Sequence, residues 1–173
     1  MNGLPARTWV ELNQGPTYLC WLFCVEEAAN AIGASFDKFA CYQRVKGIAY
    51  SPPGQPATFD ELAVCVDYAG RLIGRPVRWF NGNGAVIDFE TFDELLRDGS
   101  WFVIAGVAEQ ALQAGQAYGH YLLARQLSGS DIVVVDSYRL YDGGSDRYDL
   151  TEFHEAMREN FDPIRDALAF QFA

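Results

Sequence analysis

Gln14-Gly15-Pro16-Thr17-Tyr18-Leu19-Cys20-Trp21-Leu22-Phe23-Cys24-Val25 is the stretch on which the reading of this chain turns. A glutamine stands six residues before a cysteine, and the cysteine opens an apolar run. From residue 20 the pattern reads as a helix to about residue 32, stopped by Gly33, a natural C-terminal glycine. Its first turn is apolar all round, so this helix is expected to be buried, holding the Cys20 thiol rigidly. A cysteine nucleophile needs its thiolate favoured and a donor for the oxyanion it creates. The partial positive charge of a helix N-terminus serves the first need, and a nearby side-chain amide serves the second. The segment offers both, but its base must come from elsewhere.

Composition bounds the alternatives. The chain has 173 residues, half of them apolar and 14% aromatic, which fits one globular domain over residues 1–173 with a sizeable core. Net charge is −10, from 23 acidic and 13 basic residues, so a nucleic-acid partner is not expected. No 18-residue apolar stretch exists, so no membrane partner is expected. Residues Met1 to Arg7 lack a basic region followed by an apolar core, which argues against a secretory signal peptide and for a cytoplasmic protein, with leaderless export left open.

The four cysteines, at 20, 24, 41 and 65, read as reduced thiols. Cys20 and Cys24 lie one helical turn apart, a spacing that suits no disulfide. Only His120 and His154 are available to complete a metal site, both far downstream, so neither metal nor cofactor is expected. Cys24, Cys41 and Cys65 read as core residues.

Along the chain, the reading gives a helical part over about 1–75 and a sheet part over about 76–173. Residues 1–19 form an irregular lead-in. Phe36 to Val45 suggests a second helix, and Ser51 to Pro56 a loop. Thr58-Phe59-Asp60-Glu61 has the form of a capping box before a helical face made by Leu62, Ala63, Val66, Ala69 and Ile73. Strands are expected over Pro76–Phe80, Trp101–Val107, Tyr118–Leu127, Asp131–Val135 and Ala167–Phe172. Asn81 to Gly84 suggests a turn, and Ser128-Gly129-Ser130 a hairpin join. Thr91-Phe92-Asp93-Glu94 reads as a capping box opening a helix that ends near Gly99, and Thr151–Asn160 as a last helix. The acidic run Asp142 to Asp149 lacks the ligand periodicity of a calcium loop and reads as solvated. Helices first and then a mostly antiparallel sheet make an α+β fold.

His120 starts one strand of the predicted hairpin and Asp136 ends the other. Neighbouring strands lie about 5 Å apart, so the two side chains can meet. A carboxylate beside an imidazole fixes its tautomer and favours its charged form. Asp131 competes for that place but starts its strand at the far end of the hairpin. His154, beside Glu155, reads as a solvated helix residue. Tyr138 and Tyr141 read as packing on the sheet edge, with a cleft-lining role as the alternative.

The order Gln14, Cys20, His120, Asp136 resembles the papain-like cysteine peptidases, and within them the C39-like family. The matching pieces are the Gln14 spacing to Cys20, Cys20-Trp21 with Phe23, Gly119-His120-Tyr121-Leu122-Leu123, and Ile132-Val133-Val134-Val135-Asp136. Thr151-Glu152-Phe153 and Ala167-Leu168-Ala169-Phe170 are similar to the family's C-terminal half. The resemblance implies a papain-like fold and a thiol-dependent hydrolase that cleaves peptide or isopeptide bonds through an acyl-enzyme. It implies Cys20 as nucleophile, His120 as base and then acid, Asp136 as its orienter, and Gln14 with the Cys20 N–H as oxyanion donors. A peptide or protein substrate follows. Two departures stand out. Ser137 follows the aspartate where the family often has proline, and Thr17-Tyr18-Leu19 precedes Cys20, altering the expected cleft walls. They keep two other readings open, an inactive binding module of the same fold and an acyl transferase or deamidase of transglutaminase type. No fused transporter or membrane segment points to bacteriocin export.

Overall fold

The computed structural model describes residues 7–82, 87–108, 119–138, 145–160 and 167–173. Among these residues, five helices and six strands run in the order α1 (Cys20–Ala31), α2 (Lys38–Lys46), α3 (Phe59–Leu72), β1 (Val77–Trp79), α4 (Phe89–Asp98), β2 (Phe102–Ala108), β3 (Gly119–Ser128), β4 (Asp131–Val135), β5 (Arg147–Asp149), α5 (Leu150–Asn160) and β6 (Ala167–Phe172). The strands form one sheet in the order β1-β6-β2-β3-β4-β5, and each paired couple is antiparallel. The α+β expectation agrees with this architecture.

Strand β2 shows why its sequence is a continuous apolar run. Phe102 and Ile104 enter one hydrophobic cluster, while Val103, Ala105 and Val107 enter another. The sheet is covered on both faces here, so alternation is lost. Helices α1 and α3 share the first cluster with Leu123, Leu168 and Phe170. Phe92, Leu95 and Leu96 of α4 and Phe153, Ala156 and Met157 of α5 fill the second. The two late helices therefore back the sheet on the face away from α1.

α1 begins without a capping side chain at Leu19 and without an acidic residue in its first turn. Burial holds it instead. Trp21, Leu22 and Val25 are fully enclosed, each contributing about 1.5–3 kcal/mol, whereas an isolated helix of this length is marginal. Trp21 Nε1 also donates to Gln55 O at 3.0 Å, tying the helix start to the loop before α3. The helix stops where Gly33 takes a left-handed φ of 73°.

Several boundaries shift. α2 starts at Lys38 because the Asp37 side chain caps it, accepting from Phe39 N and Ala40 N. The Thr58–Glu61 capping box is present in full. The second expected box is not: Asp88 caps α4 by accepting from Thr91 N at 2.9 Å, so Thr91 lies inside the first turn. Part of the expected solvated loop, Arg147–Asp149, is strand β5 against β4. The hairpin join is tight, with Ser128 paired to Asp131. Asn83, Gly84, Tyr118, Tyr141 and the stretch 142–144 lie outside the described residues. Among the described residues, no helix is long and apolar enough to cross a membrane.

Candidate active site

Cys20 is the first residue of α1 and is nearly buried, at 9% exposure. No side chain caps this helix end, and within its first turn Leu22 N donates to Leu19 O at 2.9 Å. Across from it, β3 carries His120 and β4 leads into Asp136. Val135 pairs with Leu123, three residues beyond His120, and the chain then delivers Asp136 to the imidazole. His120 Nε2 lies 2.8 Å from Asp136 Oδ1. The same oxygen accepts from Tyr138 N at 2.9 Å, which holds the carboxylate in place.

Burial favours a neutral His120. The imidazolium's interactions with Asp136 and then Cys20 outweigh it and hold the imidazole pKa well above its ordinary value. With Asp136 on Nε2, Nδ1 is the imidazole nitrogen left free of the carboxylate. His120 and Asp136 are thus in direct contact, and Cys20 acts on the same imidazole through its effect on the pKa. The Tyr138 ring stands edge-on to His120, with centroids 6.0 Å apart.

Gln14 is 6% exposed and tightly bonded. Its Nε2 donates to Thr17 O at 2.8 Å, and its Oε1 accepts from Ser137 Oγ at 2.6 Å. Its backbone N–H donates to Ser137 O at 2.9 Å, and its C=O accepts from Thr17 Oγ1 at 3.0 Å. The lead-in is thereby docked on the end of β4.

The other residues singled out from the sequence fall elsewhere. Cys24, Cys41 and Cys65 are buried free thiols. Cys24 Sγ donates to Tyr121 O at 3.4 Å, and burial raises the pKa of Cys24 and Cys65. Asp131 faces Arg147 at 3.4 Å, away from His120. His154 is not solvated: its Nε2 sits 2.9 Å from Asp93 Oδ1, and its ring stacks on Phe89, so it joins α5 to α4. Of the unusual residues before Cys20, Leu19 is core, and Tyr18, 47% exposed, reaches the surface.

Glu27 escaped the sequence reading. It is fully buried on α1, with Oε1 accepting from Leu12 N at 3.1 Å and Oε2 without a partner among the described residues. Burial pushes its carboxyl well above the usual range, against the bond from Leu12, and the charge of Asp136 adds to the rise. It stands beside Glu26, which pairs with Lys38, and no local pattern separates the two. Ser137 escaped as well, standing out only as a departure from the family pattern.

Neither a protein-family model nor a curated protein sequence matches the chain. Solved structures do. The peptidase domain of Streptococcus ComA, a bifunctional ABC transporter involved in a quorum-sensing pathway, superposes with a TM-score of 0.59 at 14% identity, over 96% of this chain and 98% of that one. A Bacillus anthracis protein assigned to the C39-like peptidases gives 0.62 at 11% identity, over 94% of each chain. At this identity the likeness is one of fold, and the protein has the fold of the C39 peptidase domains.

Proposed function

We propose that this protein is a cysteine peptidase of the C39-like type, acting on a peptide or protein substrate. The observation that supports the reading is the buried His120–Asp136 pair, 2.8 Å apart, whose imidazole is also influenced by Cys20 at an uncapped helix N-terminus. In this reading His120 takes the Cys20 proton, and the resulting thiolate adds to the substrate carbonyl carbon. The negative charge passes to the carbonyl oxygen, where the Cys20 N–H and the Gln14 amide stabilise it. The C–N bond then breaks, and the leaving amine takes its proton from the His120 imidazolium. Water attacks the thioester on Cys20, giving a proton to His120. The carbonyl re-forms, the C–S bond breaks and the acid product leaves.

A peptide library digested with the protein and read by mass spectrometry tests this. The reading expects new C-termini with wild type and none with Cys20→Ala. Amine adducts or deamidated glutamines in place of cuts would instead establish an acyl transferase or deamidase. If wild type and Cys20→Ala leave identical libraries, the protein does not act through this cysteine.

A further inference from the structure

We propose that Ser137 is a positioning residue that locks the Gln14 amide for its oxyanion, so that the Asp136-Ser137 dipeptide aims both the base and the oxyanion donor. The inference rests on the reading of Gln14 as an oxyanion donor. Asp136 holds His120, and the next residue holds Gln14, 123 positions away in the chain.

The orientation of the Gln14 amide follows from its partners. Thr17 offers a carbonyl oxygen, which only accepts, so the amide nitrogen must face it. The oxygen then faces Ser137 Oγ, which donates across 2.6 Å. One Nε2 proton is used by Thr17, and the second meets no acceptor among the described residues. That proton is left for a substrate oxygen. A hydroxyl donating to the amide oxygen also draws electron density from the nitrogen and strengthens the remaining N–H as a donor.

The backbone separates this role from general folding. The Gln14 N–H bond to Ser137 O joins the lead-in to β4 whatever side chain stands at 137. Ser137→Ala therefore keeps that tie and removes only the hydroxyl, leaving Gln14 Oε1 buried without its donor and the amide free to rotate.

The test compares two reagents on Cys20. p-Nitrophenyl acetate acylates it through a tetrahedral oxyanion, whereas iodoacetamide alkylates it by displacement and forms none. Gln14→Ala is expected to slow acylation about a hundredfold and Ser137→Ala about tenfold. Alkylation rate and its pH profile should stay at wild type in both. The double variant should be no slower than Gln14→Ala, and Ser137→Thr, which keeps the hydroxyl, should recover most of the loss. NMR should show the Gln14 side-chain amide protons exchanging faster with solvent in Ser137→Ala. Wild-type acylation in Ser137→Ala, or acylation and alkylation falling together, would overturn the proposal. Unchanged Gln14 amide exchange would overturn it too, even in a protein whose Cys20 is inert. A Cys20 that neither reagent modifies is the separate failure of the peptidase reading.

Discussion

At the scale of single residues, His120 and Glu27 carry opposite chemistry under the same burial. Both are enclosed, but His120 has Asp136 and Cys20 to favour its charge, while Glu27 has one backbone N–H. Asp136→Asn keeps an oxygen for Tyr138 N and removes the charge. It should lower turnover by about a hundredfold or more, measured as release of product from any substrate that wild type cleaves. Glu27→Gln removes the ionisation without changing the shape. A carboxyl whose folded pKa is raised stabilises the fold most below its unfolded pKa of about 4.3 and loses that contribution as pH rises towards the folded value. Thermal melts of Glu27→Gln should therefore fall less steeply than wild type between pH 5 and 8. Neither Glu27 nor the Ser137 clamp was legible in the sequence. Glu27 follows Glu26, which faces Lys38, and nothing local tells the paired residue from the buried one. The Ser137 contact joins residues that only the folded chain brings together.

At the scale of elements, the loop before α3 buttresses the start of α1. Gly54 has a φ of 79°, and a Cβ there would stand 2.7 Å from Leu19 Cδ2. Leu19 is buried directly before Cys20, so it has little room to yield. Gly54→Ala should cost about 1–3 kcal/mol in chemical denaturation and slow Cys20 acylation by displacing the helix start. Thr58→Ala, by contrast, should cost about 1 kcal/mol through loss of the α3 cap and leave Cys20 reactivity unchanged. The elements were legible where the code is local. The apolar run closed by Gly33 gives α1, Thr58 with Glu61 gives the start of α3, and Gly129 gives the β3–β4 turn. The start of α4 was misread because Asp88 and Thr91 both offer a capping oxygen, and Asp88 takes the N–H of Thr91 itself. The covering of the second sheet face by α4 and α5 was also hidden, since periodicity reports that a helix has an apolar face without reporting which sheet face receives it.

At the scale of the whole molecule, the sheet carries His120 and leads into Asp136, the first helix carries Cys20, and the lead-in is bonded to Ser137 at the end of β4. Stability should reflect that coupling. A histidine whose folded pKa is raised contributes stability that is fully present below about pH 6.5 and is lost as pH rises through the folded value. His120 and Glu27 act in the same direction, so calorimetric melting temperature should decline from weakly acid to alkaline pH, and less so in Asp136→Asn. The central claim is that Cys20 is the one thiol of four prepared for chemistry. Brief iodoacetamide treatment near neutral pH, followed by peptide mass spectrometry, tests it most directly. The account predicts rapid modification of Cys20, much slower in His120→Ala, with Cys24, Cys41 and Cys65 protected until unfolding. A Cys20 that reacts no faster than cysteine in a free peptide would contradict it.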